Sequence, residues 1–259
     1  MFQLNPNDFS KNTFLGQLIR IPLALIPKNT VIPILQGSAK GIKWIVGSGL
    51  HSMWMGLFEI DKQLILQNFQ LSGTTVVDIG ANVGFFTILL SRLVGNTGFV
   101  IAFEPLTRDL EMLYRHIHLN NIKNVTVYGS AVAEKEGVMR FNTSMAYSQS
   151  HLSETGDIEV QVVTLDSLLD NFKKLERKVS LLKIDVEGAE DRVLEGGKNF
   201  FSYYRPVILL ATHGEDKVSN CRQILSTYGY SLMPLDKMRE NSNTTICEEW
   251  IAEFKDAVA

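Results

Sequence analysis

Cysteine is scarce. The two present, Cys221 and Cys247, make neither a disulfide framework nor a zinc-ligand spacing, and they read as reduced thiols of a cytoplasmic protein. A basic surplus is missing too. The net charge is -3 and the pI near 6.0, which argues against a general binder of nucleic-acid backbones. No apolar run is long enough to span a bilayer. The most apolar stretch, FLGQLIRIPLALIPKNTVIPIL, is interrupted by Arg20 and Lys28 and broken by Pro22, Pro27 and Pro33. A spanning helix needs about 20 mostly apolar residues without such breaks. No small-residue cleavage pattern follows, which argues against a signal peptide. The stretch reads as an arm packed over the main domain, compatible with peripheral contact to a membrane surface.

What is there is enough apolar residue to build a sizeable core. The chain has 259 residues, 45% of them hydrophobic, which fits one α/β domain plus an appendage better than two independent domains. The expected division is a cap over 1–70, helical or irregular, and a main domain over 71–259. From Leu71 onward, short β-rich runs alternate with amphipathic segments: TTVVDI, then VGFFTILLSRLV; GFVIAFE, then TRDLEMLYRHIHLNN; NVTVYGSAV; VSLLKID, then EGAEDRVLEGGKNFF; RPVILLATH, then KVSNCRQILSTYGY. That rhythm predicts parallel strands joined by crossover helices, hence a doubly wound, mostly parallel sheet. GVMRF and IEVQVV interrupt it between Gly137 and Val163. They predict a β-hairpin insertion around the polar stretch NTSMAYSQSHLSETGD. LDSLLDNF predicts a helix with Asp166 near its start, and the chain through Trp250 and Phe254 predicts antiparallel strands that close the sheet.

The stretch VVDIGANVG follows the first predicted strand, where doubly wound sheets bind ligands. It lacks the G-x-G-x-x-G pattern that lets a diphosphate approach a helix N-terminus. Gly80 allows a tight turn and Gly84 a close helix start, but Asn82 stands between them and Asp78 precedes them. A carboxylate at that mouth would repel a diphosphate and suit a cationic amino-acid tail. Glu104, in GFVIAFEP, ends the second strand, where a carboxylate can accept hydrogen bonds from a ribose diol. Together these cues select S-adenosylmethionine over a nicotinamide cofactor.

The runs VVDIGANVGFFT, FEP (Phe103, Glu104, Pro105) and LKIDVEGAE (Leu182 to Glu190), with WMGLFE upstream, resemble the FkbM family of methyltransferases over roughly Trp54 to Tyr230. The resemblance implies a Rossmann-like class I methyltransferase fold and S-adenosylmethionine-dependent transfer, commonly to a hydroxyl oxygen. Carried over by position, Asp78, Gly80, Asn82 and Gly84 would shape the methionine and ribose side of the pocket. Glu104 would bind the ribose hydroxyls, beside Pro105, and Ser130 with Ala131 would border the adenine. One departure concerns LLATHG. Many relatives carry an acidic residue near that strand end, where this chain has Ala211 and Thr212.

Transfer to a hydroxyl needs a group to take its proton. Asp185 and Glu187 lie at the expected cleft mouth, and His213 ends the fifth strand with an imidazole whose ordinary pKa suits a base. Asp185 is equally suited to hold the cofactor's amino group. Lys183 reads as a structural ion-pair partner, and Glu187 alternatively as a helix N-terminal residue favoured by the dipole. With a third oxygen ligand, Asp185 and Glu187 could hold magnesium. The sequence supplies no clear third ligand, so no metal is assigned. His116 and His118 read as solvated helix residues. An N-methyltransferase of amines or adenine is disfavoured because KIDVEG replaces an Asn/Asp-Pro-Pro-aromatic tetrapeptide, and a cytosine C5 enzyme because no Pro-Cys dipeptide exists. The expected activity is O-methylation of a small-molecule or glycan acceptor. The rivals are a non-catalytic binder of the same cofactor and a nicotinamide-dependent reductase.

Overall fold

The computed structural model describes residues 25–142, 151–152, 156–235 and 249–255. The apolar N-terminal stretch up to residue 24, Cys247 and most of the polar insertion lie outside them. Contacts divide the chain into two units, Met1–Gln70 with Tyr114–Asn121, and Leu71–Leu113 with Ile122–Ala259.

In the first unit, β1 (Val31–Pro33) pairs antiparallel with β2 (Lys43–Ile45). The helices His51–Met55 and Ile60–Leu66 follow. The short β pair is a feature the composition did not announce. Trp44 is fully buried and stacks on His116, with ring centroids 3.8 Å apart. The Ile45 N–H donates to His116 Nε2 at 3.3 Å. His116 is therefore a buried residue, contrary to its expected solvation, whereas His118 is exposed. Leu113, His116 and Asn120 recur at helical spacing, so the imidazole falls on the helix face that carries a buried leucine.

The second unit is built on a seven-stranded sheet. Its strands are β3 (Thr75–Ile79), β4 (Phe99–Phe103), β5 (Val125–Tyr128), β10 (Val179–Ile184), β11 (Val207–Ala211), β12 (Tyr230–Pro234) and β13 (Glu249–Phe254). The order is β12-β13-β11-β10-β3-β4-β5. All neighbours from β5 to β11 are parallel, and β13 runs antiparallel to both β11 and β12. Every residue of β3 is buried, as a strand covered on both faces requires. The helix Phe85–Val94 buries eight of its ten residues. From β3 the chain moves outward through β4 to β5, then returns to place β10 on the other side. The topological switch point therefore lies between β3 and β10, where such folds open a crevice.

A second sheet has the order β6-β9-β7-β8, from β6 (Ala131–Val132), β7 (Gly137–Asn142), β8 (His151–Leu152) and β9 (Ile158–Val163). β7 and β9 form the expected antiparallel pair. Phe141, Val160 and Val162 build a small core there with Ala131, Ala133 and Leu106. Asp166 does not start its own helix, which runs from Leu169 to Lys173. Its carboxylate instead accepts the backbone N–H groups of Asn199 and Phe200 at 3.1 and 2.8 Å. It thereby satisfies orphan donors in the first turn of the helix Lys198–Tyr204. Cys221 is a free, buried thiol whose pKa burial pushes up to about 12. Among the described residues no helix is long and apolar enough to cross a membrane.

Candidate active site

The site grows from the turn after β3. Gly80 and Ala81 both donate their N–H groups to the Phe103 carbonyl at 3.0 Å. Gly80 has φ 79°, and a Cβ there would stand 1.8 Å from the carbonyl oxygen of Asp185. Asn82 takes φ 50°, the left-handed region that asparagine tolerates better than most residues. That is why the loop closes without a middle glycine. Gly84, at φ 94°, begins the helix, and a Cβ would come 2.4 Å from Leu113 Cδ1.

Glu104 holds this loop. Its Oε2 accepts the Asn82 N–H at 2.7 Å and its Oε1 the Leu106 N–H at 2.9 Å. Both oxygens, expected to face a ribose, thus already serve the backbone, leaving only their remaining lone pairs. Burial pushes the carboxyl up to about 7, with the charges of Asp109 and Asp78 adding to the rise and the two backbone N–H groups opposing it. A pKa above the ordinary 4.5 means that the folded protein holds this proton more tightly than the unfolded chain. The associated stability is complete below about 4.5 and is lost as pH rises through about 7. Between pH 5 and 8, unfolding free energy should fall by up to roughly 3 kcal/mol through this group. Glu104→Gln should flatten that slope in urea melts at successive pH values. An unchanged slope in the variant would assign the effect elsewhere.

Asp78 is not at the loop's mouth. It is fully buried within β3, and Lys183 is its register partner on β10. Side chains directly opposite on neighbouring strands meet, so Lys183 Nζ lies 3.2 Å from Asp78 Oδ1. Thr87 Oγ1 donates to Oδ2 at 2.7 Å. The carboxylate is neutralised inside the protein. Lys183 is the structural ion-pair partner expected, and it also donates to the Gly80 carbonyl at 3.3 Å. It thereby ties β10 to the turn.

Asp185 begins the loop after β10 and donates its N–H to Ile79 O at 3.1 Å. Glu187 follows at φ 55° and Gly188 at φ 102°. Glu187 is a loop residue, since the next helix spans Glu190–Glu195. His213 lies just past β11 and gathers these carboxylates. Its Nε2 is 3.3 Å from Glu187 Oε2 and 4.0 Å from Asp185 Oδ1. Its Nδ1 is 2.8 Å from Glu190 Oε1. Glu190, quoted in the LKIDVEGAE motif but given no role by it, is fully buried. Its Oε1 also accepts the Gly188 N–H at 2.9 Å, while its Oε2 has no hydrogen-bond partner among the described residues.

The hydrogen bond to Glu190, with the charges of Glu190, Glu187 and Asp185, pushes His213 up to about 9 against the opposing effect of burial. The ordinary imidazole pKa expected from sequence does not hold, because a lone residue's reference value ignores three carboxylates gathered from elsewhere in the chain. Thr212 turns into the sheet and accepts the Trp250 indole N–H at 3.0 Å.

Further along the carboxyl edge, Ser130 and Ala131 are buried and Pro105 partly so. Ser130 Oγ is buried without a hydrogen-bond partner among the described residues. A buried hydroxyl left unpaired is costly, and a ligand's polar edge would relieve it. A Cβ at Gly188 or Gly214 would meet nothing within 4 Å among the described residues.

Residues 78–232 match the family profile described as Methyltransferase FkbM domain. Methyltransferase 1 of Beauveria bassiana (strain ARSEF 2860) is 28% identical, over 47% of this chain and 57% of that protein. Methyltransferase sdnD of Sordaria araneosa is 26% identical, over 48% of this chain and 61% of that protein. The matched region therefore spans little more than half the length of these relatives. The crystal structure of Methyltransferase FkbM from Methylobacillus flagellatus KT superposes with a TM-score of 0.51 at 19% identity, over 72% of this chain and 44% of that one. The shared architecture is the class I methyltransferase fold.

Proposed function

The chain belongs to the FkbM methyltransferase family, and from that premise we propose that it methylates a hydroxyl oxygen of a small-molecule or glycan acceptor, using S-adenosylmethionine. The observation that carries the reading is the convergence of Asp185, Glu187 and His213 within about one side chain's reach, beside the turn at Gly80. The donor supplies an electrophilic methyl on a sulfonium centre. On this reading the backbone of Gly80, Asn82 and Gly84 borders its methionine and ribose. The remaining lone pairs of Glu104, next to Pro105, take ribose hydroxyls, and Ser130 Oγ with Ala131 meets the adenine edge. Asp78 contributes through Lys183 rather than by touching the ligand.

Asp185 and Glu187 then present carboxylate oxygens to the acceptor hydroxyl. As the oxygen attacks, its proton passes to one of them, a positioned transfer that contributes about 10²–10⁴-fold in rate. In its protonated form His213 donates through both ring nitrogens, to Glu190 at 2.8 Å and toward Glu187 at 3.3 Å. This holds Glu187 in place and offsets the negative charge around it.

Calorimetry with S-adenosylhomocysteine, S-adenosylmethionine and NAD(P) tests the cofactor, and binding is expected for the first two alone. Binding of the nicotinamide cofactor without S-adenosylhomocysteine would overturn the reading in favour of a reductase. For the acceptor, tritiated-methyl S-adenosylmethionine is incubated with fractionated cell extract, and label is expected in a base-stable ether of a hydroxylated compound. Cofactor binding with no labelled fraction would point to a non-catalytic binder.

A further inference from the structure

We propose that Asp185, Glu187 and His213 form a binding site for one divalent cation of the manganese or magnesium type. One ligand atom from each of the three lies within 4.8 Å of the other two. The separations from His213 Nε2 are 3.3 Å to Glu187 Oε2 and 4.0 Å to Asp185 Oδ1. Donors about 2.1 Å from a six-coordinate ion are about 3 Å apart when adjacent and about 4.2 Å when opposite. The 3.3 Å separation is near that of adjacent ligands and the 4.0 Å separation near that of opposite ones, and side-chain rotation of the two carboxylates is what brings all three donors onto one ion. The sequence alone offers no third oxygen ligand beside Asp185 and Glu187. The fold supplies a third ligand as a nitrogen, from the end of the neighbouring strand.

The surroundings are those of a ligand set. Glu190, fully buried, engages His213 Nδ1 through Oε1 and so leaves Nε2 facing Glu187 and Asp185. Metal-ligating histidines are commonly oriented by a carboxylate on the far nitrogen. Independently of those bonds, Glu190 Oε2 is buried with no hydrogen-bond partner among the described residues. Lys183 is committed to Asp78 at 3.2 Å and lies 3.6 Å from Asp185 Oδ2, on the oxygen turned away from the imidazole. Two hard oxygens with one imidazole suit Mn²⁺ and admit Mg²⁺. Three protein ligands leave open positions, as a catalytic ion requires. Ion binding stands on this geometry alone. A role in acidifying the acceptor hydroxyl rests on the methyl-transfer reading above.

The test titrates chelator-treated full-length protein with MnCl₂. Free Mn²⁺ is followed by electron paramagnetic resonance, with MgCl₂ and ZnCl₂ as competitors. Saturation near one ion per chain is expected. Glu187→Gln and His213→Ala should weaken binding at least about tenfold, and Glu190→Gln by about 10–100-fold as an orienting carboxylate does. Asp170→Asn, at an exposed pair with Lys173, should leave binding unchanged. Circular dichroism confirms that each variant is folded, and where Glu190→Gln is not, the two ligand variants carry the test. A Mn²⁺ signal undiminished by protein, or equal affinity in all variants, overturns the inference. S-adenosylhomocysteine calorimetry on the same samples separates the two readings. Cofactor binding without ion binding removes the metal alone, and ion binding without cofactor binding removes methyl transfer alone.

Discussion

His213→Ala is expected to lower methyl transfer to the labelled acceptor by about 100-fold or more, the scale of displacing the positioned carboxylate that takes the reacting proton. S-adenosylhomocysteine affinity should stay within about threefold, less than 1 kcal/mol. The asymmetry follows from where the imidazole stands. It touches Glu190, Glu187 and Asp185 and has no contact with the turn at Gly80 among the described interactions. Removing it leaves Glu190 buried without its cationic partner and loosens Glu187, while the glycine loop keeps its hold on Glu104. Asp185→Asn separates two roles that share one carboxylate. If Asp185 takes the acceptor proton, turnover falls and affinity holds. If it binds the cofactor's amino group, affinity falls with turnover. A His213→Ala enzyme with full activity would remove the cluster from the chemistry.

Gly80→Ala should cost about 3–4 kcal/mol of stability, from overpacking and from a left-handed backbone combined, and should abolish measurable cofactor binding. The new methyl would meet the Asp185 carbonyl at 1.8 Å. That obstacle is backbone, and it cannot rotate away. Asp185 is also tied to Ile79 by its own N–H, so yielding would break the parallel pairing of β3 and β10 where the crevice opens. Gly188→Ala is the internal comparison. It shares the positive φ, at 102°, but meets nothing within 4 Å, so only the conformational cost of about 1–2 kcal/mol applies. Urea denaturation of the pair measures the difference. Equal losses would mean that the close approach carries no energy.

The sheet was legible because its central strands are buried on both faces and therefore read as short, mostly apolar runs, VILLA throughout and TVVDI apart from Thr75 and Asp78. Glycine spacing and chain order then located the crevice. β6 and β8 were not legible, since two residues each are too short to show a period. The site was legible at one level only. Local pattern nominated Asp185, Glu187 and His213, all of which fall in one cluster. Whom a side chain meets is decided across strands, and there sequence misled. Asp78 is claimed by Lys183, and the Lys183–Gly80 bond itself joins residues 103 positions apart. Glu187, which the local pattern also allows as a helix N-terminal residue, is a loop residue before the helix Glu190–Glu195, and only the long-range pairing of Glu190 with His213 marks Glu190 as part of the site. Asp166 likewise serves a helix 33 residues downstream.

The burial of His116 has a consequence in time. Ile45 and His116 are separated by 71 residues, and the segment Tyr114–Asn121 groups with the N-terminal unit although it ends a helix begun in the other. At a synthesis rate of about 5–20 residues per second, Trp44 leaves the ribosome roughly 4–14 s before the imidazole it stacks against exists. During that interval Trp44 lacks the imidazole it stacks on, and the Lys43 backbone lacks the Asn120 amide that pairs with it. The N-terminal unit therefore cannot finish folding as it emerges, and it waits for β3, β4 and their helices to be made. The same interleaving means that no single cut in the chain can release the N-terminal unit whole.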